Sequence, residues 1–314
     1  MTRSYDLVVL GELNVDLILT GDTTPVWGQH EKLVDDAQLI PGGSSMIFAC
    51  GAARLGLRTA YVGVIGEDVF GRLMRDHLEA MGIDIQHVIV DPHVRTGVTV
   101  HLTAPDGDRA MLTYLGSIAA LRAEQIAPDL LRSTRFLHAG CYFLQHALQP
   151  DLPGLFRAAR AAGATTTLDT NWDPEERWDS GLQAVLTETD VFLPNAAEAR
   201  HITGVASTEQ ALLRLADVVP TVAIKCGADG AIALRGPERA IQYPPRISPL
   251  DTTGAGDSFD AGFVAGLARG LSLRESLALA TACGSLSTRA MGGTAAQPAW
   301  DEAWNVANTL LRTR

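Results

Sequence analysis

The sequence predicts an α/β protein with a largely parallel sheet covered by helices, and three observations lead there. Short β-branched runs alternate with longer segments of helical period along most of the chain. Its 314 residues form a chain long enough to bury roughly 75% of the surface it would expose unfolded. Hydrophobic residues make up 46% and charged residues 19%, a balance that suits a packed globular domain and argues against disorder.

Along the chain, the strand candidates are Leu7–Leu10, Ala60–Val64, Thr166–Leu168, Val191–Leu193, Val222–Ile224 and Ala231–Leu234. The helix candidates are Ser45–Leu55, Gly71–Met81, Leu152–Ala162, Ala197–Thr203, Thr208–Ala216, Asp257–Arg269 and Leu273–Ser287. Parallel strands joined through helices should wind right-handed into one sheet. Two segments break this rhythm. Leu17–Leu39 is polar and carries Gly21, Pro25 and Gly28 between runs able to pair, and Val98–Leu115 reads as a hairpin turning at Asp106-Gly107. Excursions of this kind form either a lid over a site or plain surface loops.

The net charge of −11 disfavours nucleic acid and anionic membranes, which need a basic face. It does not disfavour a nucleotide, because backbone N–H groups and one local cation can hold phosphate. The four cysteines, Cys50, Cys141, Cys226 and Cys283, form no C-x-x-C pair and read as reduced thiols of a cytoplasmic protein. The first apolar run is too short for a signal peptide, and no stretch approaches about 18 apolar residues.

The chemistry concentrates in Asp251–Phe263, DTTGAGDSFDAGF. A glycine-rich turn opening a helix lets backbone approach an anion, and the N–H groups of the first turn lack helical partners. Asp257 falls at the start of that helix. A carboxylate there is a poor phosphate ligand but a good general base for a hydroxyl attacking phosphorus. Taken alone, the same string also describes a capped helix after a turn.

The whole string resembles the C-terminal signature of the ribokinase, or PfkB, family of carbohydrate kinases, and further matches follow in the family's order. These are GELNVD (Gly11–Asp16), PGGSSMIFACGAARLG (Pro41–Gly56), VGVIGEDVFG (Val62–Gly71), LDTNWDP (Leu168–Pro174), LPNAAEA (Leu193–Ala199) and IKCGADGA (Ile224–Ala231). The resemblance implies a single ribokinase-like α/β domain over residues 1–314, doubly wound, with a mostly parallel sheet flanked by helices. It also implies a small β-sheet lid from about 17–39 and 98–115, shared across a homodimer. The implied activity is ATP-dependent phosphorylation of a hydroxymethyl group on a sugar or sugar-like substrate.

On that resemblance Asp257 is the base, and Gly254, Ala255 and Gly256 are the anion hole. Asn14, Asp16, Gly42 and Gly43 face the sugar, while Lys225, Gly227, Gly230 and Asn195 belong to the nucleotide side. Glu198 and Asn195 organise Mg²⁺ through water, a mode that suits this ion's reluctance to shed its waters. Asp251, with carbonyls near Thr253 and residues 289–293, matches the place where many relatives hold a monovalent cation such as K⁺. Asn171 and Asp173 either touch substrate or shape the turn after their strand. His101 and His138 have no partner spacing and receive no role, and neither do Tyr142, Phe143 and Gln145.

One departure bears on substrate. Relatives usually place a sugar-contacting Asn where this chain has Ile47, so binding of a ribose-like sugar does not follow automatically. A nucleoside kinase, with Met46 and Ile47 as an apolar wall for the base, is one alternative. A weakly catalytic sugar-binding sensor is another, although an intact Asp257 and turn weigh against it. A Rossmann dehydrogenase is set aside, because the first strand leads into GELNVD and not G-x-G-x-x-G.

Overall fold

The computed structural model describes residues 3–104 and 109–312. The strands are β1 (Tyr5–Leu10), β2 (Asn14–Thr20), β3 (Asp36–Gly42), β4 (Thr59–Gly66), β5 (Val88–Asp91), β6 (Gly97–Thr103) and β7 (Arg109–Tyr114). They continue with β8 (Thr134–Ala139), β9 (Thr165–Leu168), β10 (Val191–Phe192), β11 (Thr221–Lys225), β12 (Ala231–Arg235) and β13 (Glu238–Gln242). The helices are α1 (Ser44–Arg54), α2 (Val69–Ala80), α3 (Pro128–Ser133), α4 (Leu152–Ala161) and α5 (Leu182–Leu186). Then come α6 (Ala196–Thr203), α7 (Thr208–Ala216), α8 (Ala255–Ala268), α9 (Leu273–Ser287) and α10 (Trp300–Arg312).

The large sheet has nine strands in the order β13-β12-β11-β10-β9-β8-β1-β4-β5. Its pairings are parallel except at one edge, where β12 runs antiparallel to both β11 and β13. Alternation along β1 shows why both faces need helices: Leu7 and Val9 enter one core, Val8 and Leu10 the other. The first core is closed by α1, α2, α8, α9 and α10, and the second by α3 to α7. This is the doubly wound arrangement the sequence implied.

Helix α8 is held most tightly, because small residues let its neighbour come close. A Cβ at Gly262 would stand 2.8 Å from Ala280 Cα of α9, and one at Gly266 would stand 2.8 Å from Ser276 Oγ. Phe263, fully buried in the same core, adds to this packing, and truncating such a ring to Ala typically costs about 3–5 kcal/mol. Helix α9 is fixed at its start by a capping box in which Glu275 N–H donates to Ser272 Oγ and Ser272 N–H to Glu275 Oε2. The glycine-rich turn preceding α8 therefore rests on a rigid support.

The lid is a separate four-stranded sheet, β3-β2-β6-β7, with β2 and β6 parallel and the outer pairs antiparallel. It is larger than the 17–39 segment predicted. Strand β2 starts at Asn14 and β3 runs to Gly42, since Val15, Leu17 and Leu19 continue one alternating apolar face. Asn14 and Asp16 are thus lid-strand residues, not turn residues after β1. The second lid segment forms β6 and β7 as expected, while the Asp106-Gly107 turn lies outside the described residues. The lid's inner face carries Asn14, Asp16, Ile18, Thr99 and His101, all buried. Its outer face leaves Leu39, Leu112 and Tyr114 exposed. Among the described residues, no helix is long and apolar enough to cross a membrane.

Candidate active site

The turn into α8 has the conformation its glycines were expected to allow. Gly254 is the N-cap residue with φ 70°, and a Cβ there would stand 2.7 Å from Gly293 Cα and 2.8 Å from Ile47 Cγ2. Only glycine fits both the left-handed backbone and the contact. Ile47 thus packs under this turn. Its side chain is buried beneath the turn against Gly254 and Gly293, and its carbonyl accepts from Gln297 Nε2 at 2.8 Å. Met46 is likewise core, so these two residues form no exposed wall for a base. Within the turn, Ala255 N–H donates to the Thr252 carbonyl at 3.2 Å. The first-turn donors of Gly256 and Asp257 have no carbonyl four residues back inside the helix.

Asp257 is buried at the first turn of α8. Burial pushes its carboxyl well above the usual carboxylate range, and the charges of Asp169 and Glu12 push the same way, while Lys225 and a bond from Ser44 pull against them. A carboxyl shifted this way holds a proton more readily than a surface aspartate, the direction in which a general base is tuned.

Beside it lies a charge cluster that the sequence did not reveal. Lys225 Nζ donates to Asp169 Oδ2 and to Asp260 Oδ2, each at 2.8 Å. One oxygen from each of Asp169, Asp257 and Asp260 lies within 4.8 Å of the others. Burial works against charge on Asp169, but Lys225 and a hydrogen bond from Asp260 outweigh it and hold the carboxyl below its ordinary value. Burial drives Asp260 well above its ordinary value, with Asp169 adding to the shift and Lys225 opposing it. Sharing one ammonium, the two carboxyls shift in opposite directions, Asp169 toward the charged form and Asp260 toward the protonated one. Burial also works against the Lys225 charge, yet Asp169, Asp260 and Glu198 together raise its pKa.

On the nucleotide side, Lys225, Gly227, Gly230, Arg246 and Gly256 line a cleft of ≈ 420 Å³. Gly230, at φ 90°, is required by its hairpin, since a Cβ would stand 2.0 Å from the Gln242 carbonyl, whereas Gly227 meets nothing. Asn195 and Glu198 form a capping box at the start of α6. Asn195 Oδ1 accepts from Ala197 N and Glu198 N, and Glu198 Oε2 accepts from Asn195 N at 2.8 Å. Burial first, then Asp169, lifts Glu198 to about 7 against the pull of Lys225. Asp251 joins two loops: Oδ1 accepts from Thr253 N at 2.9 Å, and Oδ2 from Gly292 N at 2.8 Å.

On the lid side, Asn14 Nδ2 donates to Asp16 Oδ1 at 3.0 Å. The two glycines beneath them are needed for that approach, because a Cβ at Gly42 would stand 2.2 Å from Asp16 Cγ and one at Gly43 2.9 Å from Asn14 Oδ1. His101 Nε2 lies 3.4 Å from Asp16 Oδ2 on the same face of the small sheet. His138 stacks on Phe48, its Nδ1 meets Thr167 Oγ1 at 2.9 Å, and burial lowers it to about 3. A second cavity, ≈ 220 Å³, is lined by Ile18, His101, Thr103, Asp251 and Thr253. Asp173 accepts from the N–H groups of Glu175, Arg177 and Trp178 and so shapes its turn. Asn171 accepts from Cys141 N and donates to Ser44 Oγ, tying three segments together. Glu12, deeply buried, accepts from Ser45 N at 3.0 Å, and burial raises its carboxyl.

The pfkB family carbohydrate kinase profile matches residues 4–300, and the chain belongs to that family of ATP-dependent kinases. It is 31% identical to a fructokinase of Klebsiella pneumoniae over 316 residues, covering 94% of this chain and 96% of that protein. The fold matches Arabidopsis thaliana ribokinase, solved with ribose and ATP, at a TM-score of 0.86 and 23% identity over 98% of this chain and 99% of that one. It also matches an E. coli structure carrying ATP and Mg²⁺ at a TM-score of 0.85 and 22% identity, over 98% and 100% of the two chains.

Gly256 gives a test of the turn. A Cβ there would lie 3.6 Å from Lys225 Cδ and clash with nothing. Gly256→Ala should keep or raise stability by up to ~1 kcal/mol, while narrowing the space before the first-turn donors. Turnover should then fall at least ~10-fold. Wild-type kcat in a fully folded variant would remove the turn from the phosphate path.

Proposed function

We propose that the chain transfers the γ-phosphoryl group of ATP to a hydroxymethyl group of a monosaccharide. The observation that carries this is Asp257, buried in the first turn of α8 directly after Ala255 and Gly256, which line the cleft. The hydroxyl proton passes to the Asp257 carboxylate as the oxygen attacks phosphorus, and the O–P bond to the leaving ADP breaks. Backbone N–H groups of Gly256 and Asp257 point where charge builds on the transferring group. Asn14 and Asp16 hold sugar hydroxyls from the lid, with Gly42 and Gly43 giving them room.

Mg²⁺, when bound, neutralises phosphate charge, and the buried Glu198 carboxyl with Asn195 suits a water-mediated hold on it. A monovalent cation such as K⁺ is assigned to the loops that Asp251 joins. The relatives named fructokinase and ribokinase make free ketohexoses and pentoses the first substrates to try. The four free cysteines suit a reducing, cytoplasmic compartment.

The test is coupled ADP release with Mg-ATP and K⁺ across pentoses, hexoses, ketoses, sugar acids and nucleosides. Asp257→Asn should lower kcat on the active substrate at least ~100-fold, and Asp16→Ala should chiefly raise KM for the sugar. Near-wild-type turnover in the first variant would remove Asp257 as base, and an unchanged KM in the second would remove Asp16 from the sugar site.

The lid's outer face supports a homodimer. Leu39, Leu112 and Tyr114 are 45%, 60% and 54% exposed on one side of one sheet, and a contiguous apolar face of this kind marks an interface. Sedimentation should give a dimer at micromolar concentration, and Leu112→Asp should shift it to monomer. A wild-type chain that sediments as a monomer would overturn the pairing.

A further inference from the structure

Lys225 has a different place in the site from the one its loop suggests. A lysine reaching for nucleotide phosphate would keep its ammonium mobile, with its donors facing the cleft. Here two of its three N–H donors are committed to Asp169 and Asp260, both at 2.8 Å, and its side chain is 12% exposed. The three carboxyls of Asp169, Asp257 and Asp260 are as close together as a cation site would place them. The ammonium already bonds to two of them. Its Nζ also lies 3.7 Å from where a Cβ of Gly256 would stand, directly beside the catalytic turn.

We infer that Lys225, clamped by Asp169 and Asp260, is a built-in cation that positions and ionises Asp257 for phosphoryl transfer and contributes little to holding the nucleotide. The inference rests on the kinase reading above. The base is faced by Glu12 after β1, Cys141 after β8, Asp169 after β9, Lys225 at the end of β11 and Asp260 on its own helix. Lys225 is the only cation in that set, and the charges of Asp169 and Glu12 disfavour the carboxylate. Without Lys225, Asp257 would hold its proton to higher pH and would be a base for a smaller fraction of the protein. The charge must stay where it is to do this, and two carboxyls bonded to one ammonium fix it there.

Two measurements test the assignment, one of them independent of turnover. Calorimetry with Mg and a non-hydrolysable ATP analogue should give Lys225→Met an affinity within ~3-fold of wild type, and a loss of ~10-fold or more would make Lys225 a nucleotide ligand and overturn the inference. In the pH profile of kcat/KM, the acid limb should move to higher pH in Lys225→Met and to lower pH in Asp169→Asn. Opposite movements are a signature that general structural damage does not produce. Limbs that stay in place, or that move together, would overturn the inference. Should Lys225→Met fail to fold around an unpaired Asp169, the double variant Lys225→Met/Asp169→Asn removes both charges together. It should keep wild-type analogue affinity, with its acid limb at higher pH than that of Asp169→Asn alone, and a limb that coincides with that of Asp169→Asn would overturn the inference. If the wild-type chain turned over no sugar or nucleoside, the kinase reading would fail, while the calorimetric result would still decide the place of Lys225.

Discussion

The site depends on the pairing of Lys225 with Asp169 and Asp260. One ammonium joins the end of β9, the end of β11 and the second turn of α8 through bonds of 2.8 Å in the interior. A buried ion pair of this kind is a weak source of net stability, since desolvation cancels much of the attraction. Its effect is to fix where charge sits. Asp169 is shifted toward its charged form and Asp260 toward its protonated one, and the field of the cluster acts on Asp257 and Glu198. Both of these carboxyls rise above their ordinary range for the same two leading reasons, burial and the neighbouring Asp169.

The fold makes this convergence possible. In a parallel sheet the carboxyl ends of all the strands lie along one edge, and loops leaving them gather there. Glu12 follows β1, Cys141 follows β8, Asp169 and Asn171 follow β9, Asn195 follows β10, and Lys225 ends β11. Helix α8, packed tightly against α9 through Gly262 and Gly266, brings its N-terminal turn to the same edge. Asn14 and Asp16 lie on the strand that carries the chain from the large sheet into the small one.

What the sequence disclosed follows from how local each feature is. The Gly254–Asp257 turn was legible because its chemistry is contained in consecutive residues: a left-handed glycine, free helix donors and an acid at the first turn. The Asn195/Glu198 spacing is local in the same way, and what the structure shows of it is a helix cap. Lys225 lines the same cleft as Gly227, Gly230 and Gly256, yet its ion-pair partners lie 56 and 35 positions away and no spacing rule connects them. His101 was passed over because its proximity to Asp16 comes from the register between β2 and β6. Ile47 marked a true departure, but its cause, packing under Gly254 and Gly293, is a contact between distant segments. Among the elements, β8 was missed because Arg135 and His138 interrupt its apolar run, and β13 because an edge strand reading ERAIQ has little hydrophobic signal.

The central claim is that phosphoryl transfer takes place over the turn between Gly254 and Asp257. The most direct measurement is a crystal structure with Mg, ADP, aluminium fluoride as the transferring-group mimic, and the sugar identified by turnover. The account predicts the fluoride group seated against the N–H groups of Gly256 and Asp257, with the sugar hydroxymethyl within hydrogen-bond reach of the Asp257 carboxyl. A mimic bound elsewhere in the cleft, or a hydroxymethyl facing away from Asp257, would contradict it.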